Sequence, residues 1–242
     1  MILQIENLNK ALGGRSILKE ISFSLERGDI FGYLGPNGAG KTTTIRLLLG
    51  LYKADSGRML YGGHEMDARS RAEIGFMLED DGLYAELSLI DNIKLYAGLY
   101  NLSFGAISGR VDELLEAFGL RDERNSKVTI FSKGMRKKAA FIRSLIHDPR
   151  LLNLDEPFDG LDPDMQAVMR DYLIKMAAER GKTIFLSSHN LYEVERLCQK
   201  IAIIRQGKIL VNNSVENLKK RIAKKDISVE DIYFSVTAGE LQ

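Results

Sequence analysis

The sequence contains a single cysteine, and this scarcity limits its covalent chemistry. Cys198 is the one cysteine among 242 residues, so no intrachain disulfide can form. Disulfides are rare in reducing compartments, so this composition is typical of a protein from such a compartment. We interpret Cys198 as a small apolar residue on a helix rather than as a reactive thiol.

The chain also lacks an excess of charge of one sign. It has 34 Lys and Arg residues against 33 Asp and Glu residues, which leaves a formal net charge of +1. Binding to nucleic acid or to an anionic membrane surface usually draws on a positive excess. The composition therefore offers no support for either partner, and we expect no direct contact with nucleic acid.

Long hydrophobic runs are missing as well. No segment approaches the roughly 20 apolar residues that a membrane-spanning helix needs. The N-terminal segment MILQIENLNK lacks the basic stretch followed by an apolar stretch that defines a signal peptide. We therefore expect a soluble, cytoplasmic chain that reaches a membrane only through a partner. The sequence shows no internal repeat and no low-complexity tract.

What the sequence does have is a regular alternation of strand-like and helix-like segments. A hydrophobic content of 45% is enough for a full core in one large domain, or in a core with a smaller subdomain. The predicted strands are 2–5, 21–25, 29–34, 58–61, 151–154, 183–186 and 201–204. The predicted helices are 44–49, 89–109, 111–119, 135–147, 166–180 and 191–199, with Leu114, Leu115 and Phe118 on one face. Strands that alternate with helices indicate an α/β fold with a doubly wound, mostly parallel sheet.

The most specific motif is a glycine-rich loop between a predicted strand and a predicted helix. Residues 35–43 read GPNGAGKTT and match G-x-x-x-x-G-K-[ST], the pattern of a phosphate-binding loop. Its glycines let backbone N–H groups turn toward an anion at a helix N-terminus, where the helix dipole favours negative charge. Lys41 can reach the outer phosphates, and the Thr42 hydroxyl can bind Mg²⁺. The predicted nucleotide ligands in this loop are Gly35, Pro36, Asn37, Gly38, Ala39, Gly40, Lys41, Thr42 and Thr43.

A second motif places two carboxylates at the end of an apolar strand. The segment LLNLDEPFDGLD, residues 151–162, presents Asp155 and Glu156 at the carboxyl edge of the predicted sheet, beside the phosphate-binding loop. Asp155 can hold Mg²⁺ through water, and Glu156 can orient or deprotonate an attacking water molecule. Asn153 is unusual, because a buried amide costs free energy unless it is hydrogen-bonded; we assign it no function.

Two weaker motifs lie on either side of this strand. The predicted strand TIFLSSH delivers His189 to the same sheet edge, where its imidazole can hydrogen-bond a γ-phosphate. The segment FSKGM opens a helix, with Ser132 suited to cap its N-terminus and Gly134 allowing close backbone approach. We interpret His64 and His147 as structural histidines.

Taken in this order, the four segments resemble the ATP-binding cassette of ABC transporters over essentially the whole chain. GPNGAGKTT is similar to the Walker A motif, LLNLDEP to the Walker B motif, FSKGM to the signature motif, and SSH to the H-loop. The resemblance implies ATP and Mg²⁺ as cofactors and a second cassette, here an identical one, as a partner. Ser132 and Gly134 would then contact the γ-phosphate of ATP held by the opposite subunit, with Asp162 in the D-loop.

The resemblance also implies a domain organisation and a membrane partner. Residues 1–78 and 136–207 would form the core with an N-terminal antiparallel β subdomain, 79–135 a helical subdomain, and 208–242 a C-terminal extension. The segment from Leu83 to about Ile130 would grip a transmembrane permease. The chain would then lie on the inner face of the cell membrane, bound to that permease.

Several positions depart from the family pattern. Glu79 stands where the Q-loop usually has glutamine; it still offers an oxygen to Mg²⁺ but adds a charge. Leu12 stands where an aromatic ring usually stacks on adenine. The signature motif has Lys133 and Met135 in place of its second glycine and its glutamine. Glu79 before GLY, and the ending of the chain, are similar to exporter-type cassettes that pair with separately encoded permeases.

Two alternatives remain open at this point. A soluble cassette ATPase could act on ribosomes or nucleic acid, although such relatives carry a long coiled coil or two cassettes in one chain, and this sequence has neither. A different P-loop enzyme, such as a small-molecule kinase, would explain neither FSKGM nor SSH. The sequence therefore favours the ATPase subunit of a two-component exporter.

Overall fold

The computed structural model describes residues 1–221 and 227–239. The strands are β1 (Leu3–Leu12), β2 (Arg15–Leu25), β3 (Ile30–Leu34), β4 (Ser56–Tyr61), β5 (His64–Glu65), β6 (Ile74–Met77), β7 (Leu151–Asp155), β8 (Thr183–Ser188), β9 (Lys200–Arg205) and β10 (Lys208–Ser214). The helices are α1 (Lys41–Leu48), α2 (Ala68–Ala72), α3 (Leu89–Leu99), α4 (Phe104–Ala117), α5 (Lys133–Leu145), α6 (Pro163–Arg180), α7 (Leu191–Leu197), α8 (Val215–Arg221) and α9 (Val229–Ala238). Among the described residues, no helix combines the length and the apolar character that crossing a bilayer requires.

The central sheet has the strand order β10-β9-β3-β8-β7-β6. The strands from β9 to β6 are parallel, and β10 runs antiparallel to β9 at one edge. Every residue of β3, β7 and β8 is buried, as is typical of parallel strands covered on both faces. The predicted doubly wound, mostly parallel sheet is confirmed.

A second sheet, of order β2-β1-β4-β5, is antiparallel throughout and packs on the central sheet. Aromatic rings join the two sheets: the ring centroid of Phe23 on β2 lies 5.4 Å from that of Phe31 and 5.5 Å from that of Phe185. Tyr33 lies beside them. The predicted N-terminal antiparallel β subdomain is confirmed, and this packing supports the strand that leads into the phosphate-binding loop.

Helices α3, α4 and α5 share the larger hydrophobic cluster with the central sheet. Leu114, Leu115 and Phe118, which were expected on one helix face, are all buried there. The Phe118 ring meets the Phe141 ring of α5 edge-on, with centroids 5.1 Å apart. The predicted helical subdomain therefore packs on the core through the expected face.

The prediction of one continuous helix over 89–109 is wrong. The chain leaves the helical conformation after α3, Asn101 adopts a left-handed conformation with φ of 57°, and α4 begins after Ser103. Asparagine tolerates this conformation better than most residues, so it can end a helix. The helical spacing of apolar residues continues across the turn. For this reason the sequence pattern predicted one helix where the structure has two. The predicted helix at 111–119 falls on the second half of α4 and the turn that follows it.

Two strands of the central sheet were not predicted. β6 has four residues, too few for a clear period, and β10 lies in the segment predicted as a C-terminal extension. Both are edge strands, so each pairs with only one neighbour and needs less apolar sequence. The 208–242 segment therefore contributes directly to the central sheet.

The C-terminal extension contains two pairs of adjacent lysines. Lys219–Lys220 lies on α8, and Lys220 forms a salt bridge of 2.6 Å with Glu216 in the same helix. Lys219 forms one of 2.6 Å with Glu195 on α7. The second pair, Lys224–Lys225, lies outside the described residues. Cys198 directly follows α7 and is buried; burial raises the pKa of its thiol, in agreement with a packing role.

Candidate nucleotide site

The phosphate-binding loop connects β3 to α1, and two of its glycines are closely packed. A Cβ atom on Gly35 would lie 2.3 Å from the Ile204 carbonyl oxygen, and one on Gly40 would lie 2.6 Å from a Leu18 methyl carbon. Gly40 is also the N-cap of α1 with φ of 114°, so it has no side chain to cap the helix. The first N–H groups of α1 therefore stay available to an anion.

Lys41 folds back over this loop. Its ammonium donates hydrogen bonds to the carbonyl oxygens of Gly35 at 2.7 Å and Pro36 at 3.4 Å. It also lies 3.3 Å from a carboxylate oxygen of Glu156. The lysine predicted to reach the outer phosphates is thus held between the loop and the predicted water-activating carboxylate.

Glu156 connects the carboxylate motif to the predicted histidine motif, because it contacts His189. Its carboxylate lies 2.9 Å from Nδ1 of His189 and accepts a hydrogen bond of 3.2 Å from the backbone N–H of the same histidine. The Glu156 backbone has a left-handed φ of 48° and donates to the Ser187 carbonyl oxygen and hydroxyl. Such strain in a non-glycine residue persists only where its surroundings impose it, and it is common at functional sites.

Asp155 is the last residue of β7 and is buried. One carboxylate oxygen accepts a hydrogen bond from the Ser187 hydroxyl. The other, Oδ2, has no hydrogen-bond partner among the described residues, although it is buried. An orphaned carboxylate oxygen fits a cation, and Mg²⁺ is usually held by one or two carboxylates together with waters and substrate phosphates. The described residues contain no group of three or more His, Cys, Asp or Glu side chains that could hold a metal by themselves.

These elements surround an open cavity of about 460 Å³. Most of the predicted loop residues line it, together with the predicted Glu79, Glu156 and His189. The lining residues are Ile17, Pro36, Asn37, Gly38, Gly40, Lys41, Thr42, Thr43, Glu79, Lys137, Glu156, Asp159 and His189. The structure therefore gathers the phosphate loop and both predicted catalytic side chains around one volume.

Other predicted residues lie outside this lining. Gly35, Ala39 and Asp155 are buried and are not among the residues that line the cavity. Leu12 ends β1, where it pairs with Arg15 across a tight turn, and it is not among the lining residues. The lining instead includes Ile17, which lies on β2 beyond the turn.

The predicted signature and D-loop residues lie on the exposed side of the site. Ser132 caps α5, because its hydroxyl accepts a hydrogen bond of 3.2 Å from the Met135 backbone, so the predicted N-cap is confirmed. Asp162 caps α6 in the same way at 2.8 Å. Gly134 faces the Gly160 carbonyl oxygen, which a Cβ would meet at 3.4 Å. None of these three residues lines the cavity of their own chain.

Three lining residues were missed by the sequence analysis. Ile17 lies in β2, outside any motif, and Asp159 follows the carboxylate pair by three residues. Lys137 lies two residues beyond FSKGM and one helical turn after Lys133 of that motif. The spacing of Lys137 from the motif was a usable signal, because residues four apart share a helix face.

The loop, the carboxylate pair and the parallel sheet define a P-loop nucleoside triphosphatase. The sequence model of the ABC transporter family matches residues 18–159 of the chain. The bacitracin transport ATP-binding protein of Bacillus licheniformis is 39% identical over 226 residues, which cover 92% of this chain and 73% of that protein. The linearmycin resistance ATP-binding protein of Bacillus subtilis is 38% identical over 224 residues, 91% of this chain and 72% of that protein.

A solved structure of the ATP-binding subunit of an ABC transporter superposes with a TM-score of 0.91 at 29% identity. It covers 98% of this chain, and the match covers 100% of that one. The chain therefore belongs to the ABC transporter family, in which it is an ATP-binding and ATP-hydrolysing subunit.

Proposed function

We propose that this ATPase subunit drives export of a substrate through a separate membrane permease. The observation that carries the proposal is Glu156, held by Lys41 and His189 at the edge of a cavity that the phosphate loop lines. Two relatives named for bacitracin transport and linearmycin resistance support transport out of the cell. These names favour transport over action on ribosomes or nucleic acid.

In the proposed reaction, the loop N–H groups and Lys41 bind the phosphates of ATP. Thr42, Asp155 and Glu79 would hold Mg²⁺, which neutralises charge that develops on the phosphoryl oxygens. Glu156 accepts the proton of the attacking water, since its carboxylate faces the cavity. His189 orients Glu156 through Nδ1 and offers its other ring nitrogen to the γ-phosphate.

We further propose that two identical chains close head-to-tail over two ATP molecules. Ser132, Gly134 and Asp162 support this, because they lie at helix N-termini outside the cavity of their own chain and are open to a partner. Each active site would then be completed by the opposite subunit.

The permease would bind the helical part of the chain, which we place at 79–135 between the core segments 1–78 and 136–207, with 208–242 as a C-terminal extension. Exposed apolar side chains on and beside α3 support this assignment: Tyr84, Leu95, Leu99 and Ile130. We call these four residues the docking surface. Contact with a permease would hold the chain at the inner face of the cell membrane.

Replacement of the proposed base tests the reaction. Glu156→Gln should bind ATP but lose at least about a hundredfold in hydrolysis rate, because general-base catalysis contributes about 10²–10⁴-fold. Dimers should then accumulate with ATP and Mg²⁺, because bound ATP stabilises the closed pair. Phosphate release and size-exclusion chromatography measure the two effects. Hydrolysis at the wild-type rate would overturn the role of Glu156, and a monomer at saturating ATP would overturn the dimer.

A further inference from the structure

Lys137 is a buried lysine that the proposed reaction does not use. It lies in the second turn of α5, its side chain is only 7% exposed, and it lines the cavity together with Lys41 and Glu156. Lys41 has two carbonyl partners and a carboxylate partner, whereas the Lys137 ammonium forms no hydrogen bond or salt bridge with any described residue. The cavity thus contains one paired lysine and one unpaired lysine.

An unpaired ammonium in a buried position is unfavourable unless an anion meets it. Burial lowers the pKa of Lys137, and the positive charge of Lys133 adds to this shift, whereas the negative charges of Asp159, Asp155 and Glu156 oppose it. These carboxylates stabilise the charged form without pairing with it directly. The ammonium therefore remains available to a negatively charged group that enters the cavity.

The position of Lys137 within the cavity indicates which part of a nucleotide it meets. Lys137 lines the same cavity as Asp159, Glu156 and His189, and hydrolysis is proposed to occur at Glu156 and His189. Asp159 and Glu156 are also among the charged groups that act electrostatically on Lys137, which associates this lysine with the Glu156 side of the nucleotide site. A phosphate next to Glu156 is the terminal one, because Glu156 is proposed to activate water against it.

The cavity lining has more carboxylates than lysines, so the positive charge of Lys137 matters for the binding of an anion. The cavity is lined by two lysines, Lys41 and Lys137, and by three carboxylates, Glu79, Glu156 and Asp159. Without Lys137, one lysine would face three carboxylates and a polyanionic nucleotide. Glu79 adds one of these three negative charges.

We propose that Lys137 binds the terminal phosphate of the nucleotide held in the same chain and so favours ATP over ADP. The inference rests on the proposed function, because it takes ATP as the ligand. It assigns to α5 a direct part in the nucleotide site of its own chain, in addition to the proposed contact of its N-terminus with the opposite subunit.

The test compares Lys137→Met with Lys138→Met, a neighbouring lysine that is not among the lining residues. ATP and ADP are titrated by calorimetry with EDTA present, so that hydrolysis does not change the ligand. Lys137→Met should raise the dissociation constant for ATP about tenfold or more, the usual effect of losing a hydrogen bond to a charged group. Its ADP affinity should stay within about twofold of wild type, as should both affinities of Lys138→Met. Lys137→Arg should retain most of the ATP affinity.

Unchanged ATP affinity in Lys137→Met would overturn the proposal, and so would an equal weakening of ATP and ADP. Normal ADP binding reports that the variant is folded, so loss of ATP affinity alone cannot come from misfolding. A wild-type chain that binds neither nucleotide, both with EDTA and with Mg²⁺ present, would overturn the proposed function itself, and this inference with it.

Discussion

Asn153 is the residue whose chemistry is least suited to its surroundings. It lies in the middle of β7, fully buried, with Phe76 and Phe185 as its register partners on the neighbouring strands. Neither its amide nitrogen nor its amide oxygen has a hydrogen-bond partner among the described residues. The sequence alone indicated a costly amide here, and the structure shows no protein group that offsets the cost.

We expect Asn153→Leu to stabilise the protein. Leucine has the same number and branching of side-chain heavy atoms, with methyl groups in place of the amide nitrogen and oxygen. It therefore removes a buried unsatisfied group, which costs about 1–3 kcal/mol. The melting temperature should rise by about 2–12 °C, since about 1 kcal/mol shifts a domain of this size by about 2–4 °C. Scanning calorimetry measures the shift, and Asn212→Leu at an exposed position of β10 is the control. A lower melting temperature for Asn153→Leu would mean that the amide supports the strand that carries Asp155.

His147 gives the fold a dependence on pH. Its ring stacks on Tyr100 with centroids 3.8 Å apart, and burial lowers its pKa from 6.5 to about 4. The unfolded chain binds a proton more readily than the folded one in this window. The stability contributed by neutral His147 is therefore fully present above pH 6.5 and is lost as the pH falls toward 4.

Between about pH 7.5 and about pH 5, this loss should amount to about 2 kcal/mol. His147→Phe keeps a ring on Tyr100 and removes the titrating group, so its unfolding free energy should fall less over the same range. Urea unfolding at the two pH values measures the difference. His64→Gln, at an exposed histidine, should behave like wild type. An equal loss in wild type and His147→Phe would assign the acid sensitivity to other groups.

At the level of elements, the N-terminus of α5 carries the proposed contact with the opposite subunit. Ser132→Arg should leave nucleotide affinity of the monomer within about twofold but prevent ATP-driven dimerisation, because a large cation would fill the cleft for the opposite γ-phosphate. Ser132→Ala is the control for loss of the cap, which costs about 0.5–2 kcal/mol in either variant. Sedimentation velocity with ATP and Mg²⁺ measures the dimer. Full ATPase activity in Ser132→Arg would mean that FSKGM is only the capped start of α5 and does not contact the opposite subunit.

The sequence predicted best those elements whose own residues form a clear motif or an apolar run. The phosphate loop has a fixed spacing and apolar flanks, and strands such as β7 are continuous apolar runs, so their type and order were clear. The split between α3 and α4 was missed because a single left-handed Asn101 interrupts an otherwise unbroken apolar period. Ile17 belongs to no short motif and joins the site only through tertiary packing.

At the scale of the whole molecule, the chain combines an ATPase core with an exposed apolar surface on its helical side. Tyr84 and Ile130 are adjacent to residues that pair directly, since the Thr129 N–H donates to the Ala85 carbonyl oxygen at 2.8 Å. They are 55% and 69% exposed. Large apolar side chains in such positions are typical of surfaces that bind another protein.

We expect Tyr84→Glu with Ile130→Glu to detach the chain from its permease without loss of nucleotide binding. A charge at the centre of a protein interface is costly to desolvate, so binding to the permease should fall by at least tenfold. The measurement is recovery of a multi-spanning membrane protein with the tagged chain from detergent-solubilised native membranes. Phe234→Glu, at an equally exposed phenylalanine on α9, is the matched control and should recover the partner normally. If Phe234→Glu releases the partner while the double variant retains it, the permease binds α9 and the proposed docking surface is wrong.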